Sequence, residues 1–99
     1  VQTCALPILF VLLDSYRRKG YRTFRDMILR YAPPVENDTR TYMDFVCSHT
    51  GIESDTPVDT HHAATMIPIV AAMSRMENGT EANMSDVTEG WSLFMKHQP

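Results

Sequence analysis

The chain is poor in everything that would anchor a ready functional assignment. It has two cysteines, Cys4 and Cys47. They supply no disulfide framework and no Cys-x-x-Cys metal site, and they point to a reducing compartment. Its four glycines are scattered and build no phosphate-cradling loop, so no nucleotide cofactor is expected. No apolar run approaches the ~20 residues that span a bilayer, and the run Ala5–Leu13 lacks the basic lead and small-residue cleavage site of a signal peptide, so no membrane partner is expected. No alternating segment of convincing length suggests a strand. Ser, His and Asp occur without a nucleophile-elbow pattern. His49, His61 and His62 do not follow a zinc spacing, and no metal is expected.

What is present is helical periodicity. Leu9, Leu12, Leu13 and Tyr16 recur at helical spacing, and Gly20 stops that segment. Thr23 then caps a short helix, with Asp26 completing a variant capping box and Phe24, Met27, Ile28 and Tyr31 forming the apolar stripe. Pro33 and Pro34 end it. Asn37 or Asp38 caps a third helix bearing Tyr42, Phe45 and Val46, with His49 on the same face and Gly51 as a left-handed C-cap. Ile52–Val58 reads as a loop. Asp59 or Thr60 opens the next segment, where Pro68 predicts a short turn over His61–Met66 and then a separate helix bearing Ile69, Val70, Met73 and Met76. Asn78-Gly79 closes that helix. The last helix runs from Asp86, whose spacing to Glu89 suggests a capping box, and buries Val87, Trp91, Phe94 and Met95. The prediction is an all-α domain of about five short helices. The three Asn-x-Ser/Thr triplets, at Asn37, Asn78 and Asn83, fall at helix ends, where local capping explains them better than glycosylation.

Charge is uneven. Between Leu9 and Thr50 the balance is +2, and from Gly51 onward it is −5. The basic run Arg17–Arg25, interleaved with Tyr16, Tyr21 and Phe24, could serve a nucleic acid. The same spacing fits core aromatics with arginines facing water, which is the favoured reading, so nucleic acid is not the expected partner.

The first eight residues, VQTCALPI, stand apart. One back-translation of them is the end of a common short-read sequencing adapter, read in frame. Residues 1–8 are therefore expected to be foreign, and residues 9–99 to form a single helical domain truncated at its N-terminus. Truncation predicts that Leu9, Phe10 and Leu13 present an apolar patch to an absent partner.

The most distinctive string is Arg30-Tyr31-Ala32-Pro33-Pro34-Val35-Glu36-Asn37-Asp38-Thr39-Arg40-Thr41-Tyr42. The diproline sets Glu36 and Asp38 at a helix N-terminus, where carboxylates cap free N–H groups and favour the helix dipole. That environment favours the charged form, which disfavours Glu36 as a general acid. Glu77, near the end of an apolar helix, has a similarly weak case.

This string resembles the Ala-Pro-Pro-x-Glu-Asn-Asp-Thr-x-x-Tyr motif of a phage and prophage family often labelled "structural protein", common in gut Bacteroidetes. Leu12-Leu13-Asp14-Ser15-Tyr16, Tyr21-Arg22-Thr23-Phe24, Thr50-Gly51, Ala71-Ala72-Met73, Glu77-Asn78-Gly79 and the closing segment Val87–Phe94 with its Trp also match in order. Tyr31 stands where the family usually has Trp. Full-length members begin with an Arg-Asn-Asn-Asn-Pro-Gly-Asn stretch and a Trp-x-Gly, and neither is in this chain. The resemblance implies the C-terminal part of a virion structural protein, found in the particle or the bacterial cytoplasm. Its expected partners are peptidoglycan or other virion proteins. In outline the family is similar to lysozyme-like wall-degrading proteins, so the parent is either a peptidoglycan hydrolase, with this part inactive alone, or a non-catalytic component. The resemblance assigns no catalytic residue. Its motif residues Glu36, Asn37, Asp38, Thr39 and Tyr42 are the candidates for ligand contact or for a structural role.

Overall fold

The computed structural model describes residues 6–31 and 38–97. Five helices follow one another: α1 (Leu6–Arg18), α2 (Phe24–Tyr31), α3 (Thr39–Thr50), α4 (Ala63–Asn78) and α5 (Met84–His97). The described residues carry no strand beyond an isolated bridge between Thr23 and Pro57. The all-α expectation holds.

Local chemistry places most helix ends. At the end of α1 the Tyr21 N–H returns to the Tyr16 carbonyl at 2.9 Å, across Gly20 at φ +101°. The Thr23 hydroxyl accepts the Asp26 N–H at 3.1 Å and starts α2. Asp38 starts α3 by accepting the Thr41 N–H at 3.1 Å and its hydroxyl at 2.7 Å. Gly51, at φ +79°, ends α3 by donating to the Cys47 carbonyl. A positive φ is adopted at little cost only by a residue without a Cβ, which is why glycine stands at both positions.

Three boundaries differ from expectation. Helix α4 begins at Ala63, after a His62 that makes no side-chain cap, and not at Asp59 or Thr60. Pro68 does not divide its segment, because α4 runs unbroken through it. A proline six residues into a helix forfeits one backbone bond and crowds the preceding turn. The opposing gain is burial on both sides of it: Met66, Ile69, Val70 and Met73 are all fully buried. At roughly 1.5–3 kcal/mol each, their burial outweighs the ~3 kcal/mol cost of the proline. Helix α5 begins earlier than Asp86. The Asn83 side chain accepts the Asp86 N–H at 3.2 Å, so the capping residue is Asn83 and Asp86 lies inside the first turn.

The core is built where α1 lies against α5. Leu6 sits beside Gly90, where a Cβ would meet the Leu6 Cβ at 3.2 Å. One turn along, the Phe10 ring meets Trp91 edge-on at 5.3 Å and stacks on Phe94 at 6.1 Å. These pairings run in register, so α1 and α5 point the same way. Helix α4 packs beneath both and against α3. The loop before α4 is tied to the start of α2: Val58 N–H donates to the Arg22 carbonyl at 2.8 Å, and Arg25 N–H to the Ser54 carbonyl at 3.0 Å.

The predicted apolar patch is not where truncation would put it. Leu9, Phe10 and Leu13 are buried by the chain itself, at 7%, 0% and 0% exposure. Helical periodicity turns these three toward α4 and α5, and the apolar residues left outside are Ile8 and Val11, on the opposite side of α1. Met95, expected inside, is 36% exposed, because the buried stripe of α5 is Val87, Gly90, Trp91 and Phe94.

Pro68→Ala should restore the missing helix bond without touching the core. The expected outcome in urea denaturation is a gain of about 1–2 kcal/mol, and a loss would show that the ring's own packing dominates.

Candidate functional site

Three polar arrangements stand out. The first is a buried carboxylate. Asp14 follows Leu13 on the inner face of α1 and is only 3% exposed. Its Oδ1 accepts the Thr60 hydroxyl at 2.6 Å, an Arg17 guanidinium N–H at 3.2 Å and His61 Nε2 at 3.1 Å. Its Oδ2 faces Arg18 Nε at 3.3 Å. Arg17 Nε also donates to the Thr60 oxygen, at 2.6 Å. A carboxylate only accepts, so His61 presents an Nε2–H. Burial alone would raise the pKa of Asp14. The Thr60 hydroxyl, Arg17 and His61 outweigh it, and the carboxyl is held below its ordinary value. This is an anion built into the fold, and it was not singled out as a site by composition or motif.

The second arrangement joins Tyr31, Tyr42 and Glu77. One oxygen of Glu77 accepts both phenols, from Tyr31 at 2.6 Å and from Tyr42 at 2.7 Å. The rings meet edge-on at 6.1 Å. Burial, then the hydrogen bond to the Glu77 carboxylate and its charge, push both phenol pKa values well above the ordinary range. The bracket ties the end of α2 and the start of α3 to the end of α4.

The third is an open cleft of about 790 Å³ between α2 and α3. Its apolar floor is Leu29 and Met43, and its polar lining is Arg25, Asp38, Thr39, Arg40, Asp44 and Ser54. Charges of both signs meet at its exposed rim. Arg25 Nε lies 3.0 Å from Asp55, and Arg40 Nε 3.9 Å from Asp44. Such a surface suits a polar partner held by several weak contacts, rather than a small substrate held by deep enclosure.

The motif residues are thus divided. Asp38 and Thr39 line the cleft, while Tyr42 is turned inward to Glu77. Glu36 and Asn37 lie outside the described residues. Three arginines of the basic run are engaged within the chain, Arg17 and Arg18 with Asp14 and Arg25 with Asp55, and beyond the run Arg30 lies over the Tyr21 ring at 5.1 Å. His62 bonds Thr65 instead of joining His61, and His49 stacks on Phe45 with ring centroids 4.0 Å apart. Among the described residues no group of three His, Cys, Asp or Glu side chains converges to hold a metal ion. Partial burial and the nearby Asp44 raise the Cys47 thiol pKa, which lowers its reactivity.

The chain is similar to Protein P5 of Pseudoalteromonas phage PM2, 36% identical over 70 residues. The match covers 70% of this chain and 42% of that protein. The chain therefore spans less than half the length of the relative it matches. The relative is a phage protein, which agrees with the phage and prophage resemblance. No family model and no solved structure matches. No helix of the described residues is long and apolar enough to cross a membrane.

Asp14→Asn removes the buried counter-charge of two partly exposed arginines and should cost about 1–3 kcal/mol at pH 7. Because the folded pKa is depressed, the stabilisation from Asp14 is present above the unfolded value of about 3.9 and fades as pH falls through the folded pKa. Denaturation of both proteins from pH 7 downward should show their difference narrowing only below about pH 4. A difference that is already small at neutral pH would contradict the assignment. Tyr42→Phe should cost about 1 kcal/mol, and in alkaline ultraviolet titration it should remove one tyrosine that ionises only as the fold opens.

Proposed function

We propose that this chain is the C-terminal helical part of a phage or prophage virion structural protein, acting as a non-catalytic interaction module. The observation that carries this reading is the similarity to Protein P5 of phage PM2. The ordered matches to the phage structural-protein motif, Asp38-Thr39 and Tyr42 among them, support it. On this reading Glu36, Asn37, Asp38 and Thr39 belong to a contact surface. Asp38 and Thr39 open onto the α2–α3 cleft, and the partners are other virion proteins.

The described carboxylates favour a structural role over a wall-degrading one. A general acid needs a raised pKa, and Asp14 is held in its charged form by four donors. Glu77 is occupied as the acceptor of two phenols. If the parent protein is a lysozyme-like peptidoglycan hydrolase, its acid lies in the segment that the resemblance places upstream.

The test is mass spectrometry of particles purified from a host carrying the restored full-length gene. The protein should be present at a fixed ratio to the major coat protein. Its presence in the lysate but absence from particles would sink the virion reading. A zymogram on bacterial cell walls with the same full-length product separates the two roles. Clearing would make the parent a hydrolase, and no clearing at any pH leaves the structural role.

A further inference from the structure

The Asn78-Gly79 pair that closes α4 carries a chemistry of its own. The backbone nitrogen that follows an asparagine can attack the side-chain amide. Glycine hinders that attack least, because it has no Cβ and the freest backbone. Asn78, Gly79 and Thr80 are all exposed. A Cβ built at Gly79 would meet nothing within 4 Å, so nothing packs over that side of the turn.

The folded chain holds the reacting atoms apart. The Gly79 N–H, which must lose its proton to attack, donates to the Arg75 carbonyl at 2.8 Å. The Asn78 side-chain amide donates at 3.1 Å to the hydroxyl of Ser74, which is itself buried. Asn78 is still helical, so its side chain and the next nitrogen meet only when that last turn opens. Few groups keep the turn closed. Asn78 directly follows Glu77, whose one oxygen takes the Tyr31 and Tyr42 phenols, and this bracket fixes the end of α4 to α2 and α3. The Arg75–Glu81 pair is exposed and adds little.

We infer that Asn78 is a site of spontaneous deamidation, guarded by the Tyr31–Glu77–Tyr42 bracket. When the last turn of α4 opens, the deprotonated Gly79 nitrogen bonds to Cγ of Asn78. The Cγ–Nδ2 bond breaks and ammonia leaves, giving a cyclic imide. Water then opens the ring at either carbonyl and leaves an aspartate or an isoaspartate. The step needs only water and does not depend on the virion reading. Its product sets a second carboxylate beside Glu77, at the negative end of the α4 dipole. An isoaspartate also lengthens the backbone and displaces the Gly79 N–H from the Arg75 carbonyl. The modified end recloses less well, and α3 loses the anchor that holds the Asp38–Thr39 cleft in place.

Peptide mapping by mass spectrometry tests it, after incubation of the full chain in mildly alkaline buffer. The urea-unfolded chain should convert Asn78 fastest and the folded chain slowest. Tyr42→Phe, still folded by circular dichroism, should convert Asn78 about fivefold faster than the unaltered folded chain. That is the gain in open population when a hydrogen bond worth about 1 kcal/mol is lost. Asp14→Asn acts about 20 Å away, at the other end of α4, and lowers the stability of the whole fold. It should leave the rate at Asn78 unchanged, because the opening is local. Folded and unfolded chains that convert alike overturn the inference, since the fold then guards nothing. So does a Tyr42→Phe rate equal to that of the unaltered chain, or no conversion in that variant once the unfolded chain has converted fully. An acceleration in Asp14→Asn that matches Tyr42→Phe would assign the protection to the whole fold and remove the role of the bracket.

Discussion

A charge taken out of water constrains everything around it, and here that charge is Asp14. Unpaired, a buried carboxylate would cost several kcal/mol. It is tolerated because Thr60, His61, Arg17 and Arg18 converge on it. Two of those partners lie just before α4. The pairing therefore fixes where the loop after α3 must arrive and from which point α4 departs. Helix α1 also packs along α5, and α4 lies beneath both. One satisfied anion thus fixes the start of α4 against α1, its partner His61 meets Phe94 of α5 edge-on at 6.0 Å, and the aromatic contacts of Phe10 with Trp91 and Phe94 hold α5 along α1.

At the far end of α4 a second polar contact closes the frame. Glu77 holds Tyr31 and Tyr42 together and so brings α2 and α3 to the α4 terminus. The two contacts differ in kind. Asp14 is enclosed and paired with cations, whereas Glu77 is exposed and bonded to neutral phenols. The first constrains the core, and the second positions the helix whose outer side opens the Asp38–Thr39 cleft. The surface proposed for partners is thereby held by groups that do not themselves face the partner.

Much of the helical order was legible in the residues, because caps and periodicity are local. Thr23, Asp38 and Gly51 each act within four residues of themselves, and each does what its chemistry predicts. Pro68 was misread because a proline's local penalty is visible in sequence, whereas the burial of Met66 and Ile69 on either side of it is tertiary. Asp86 was misread by one turn because Asn83 offers the same capping chemistry three residues earlier. The Tyr31–Glu77 contact spans distant positions and left no local trace. Asp14 did leave one: a lone carboxylate at helical spacing from Phe10, on the apolar face of the first helix, calls for a buried partner. The patch expected on Leu9, Phe10 and Leu13 failed for a related reason. Periodicity marks which residues share a face, but not whether the chain itself covers that face.

A fold organised around Asp14 requires α1, α4 and α5 to form one cooperative unit. Native-state hydrogen exchange tests it most directly. The amides of Leu13 and Asp14, those of Ile69 and Val70, and those of Trp91 and Phe94 should exchange only through global unfolding, with one common free energy and one denaturant dependence. If α1 exchanges through a smaller opening while α4 and α5 stay protected, the unit is not cooperative and Asp14 does not hold it together.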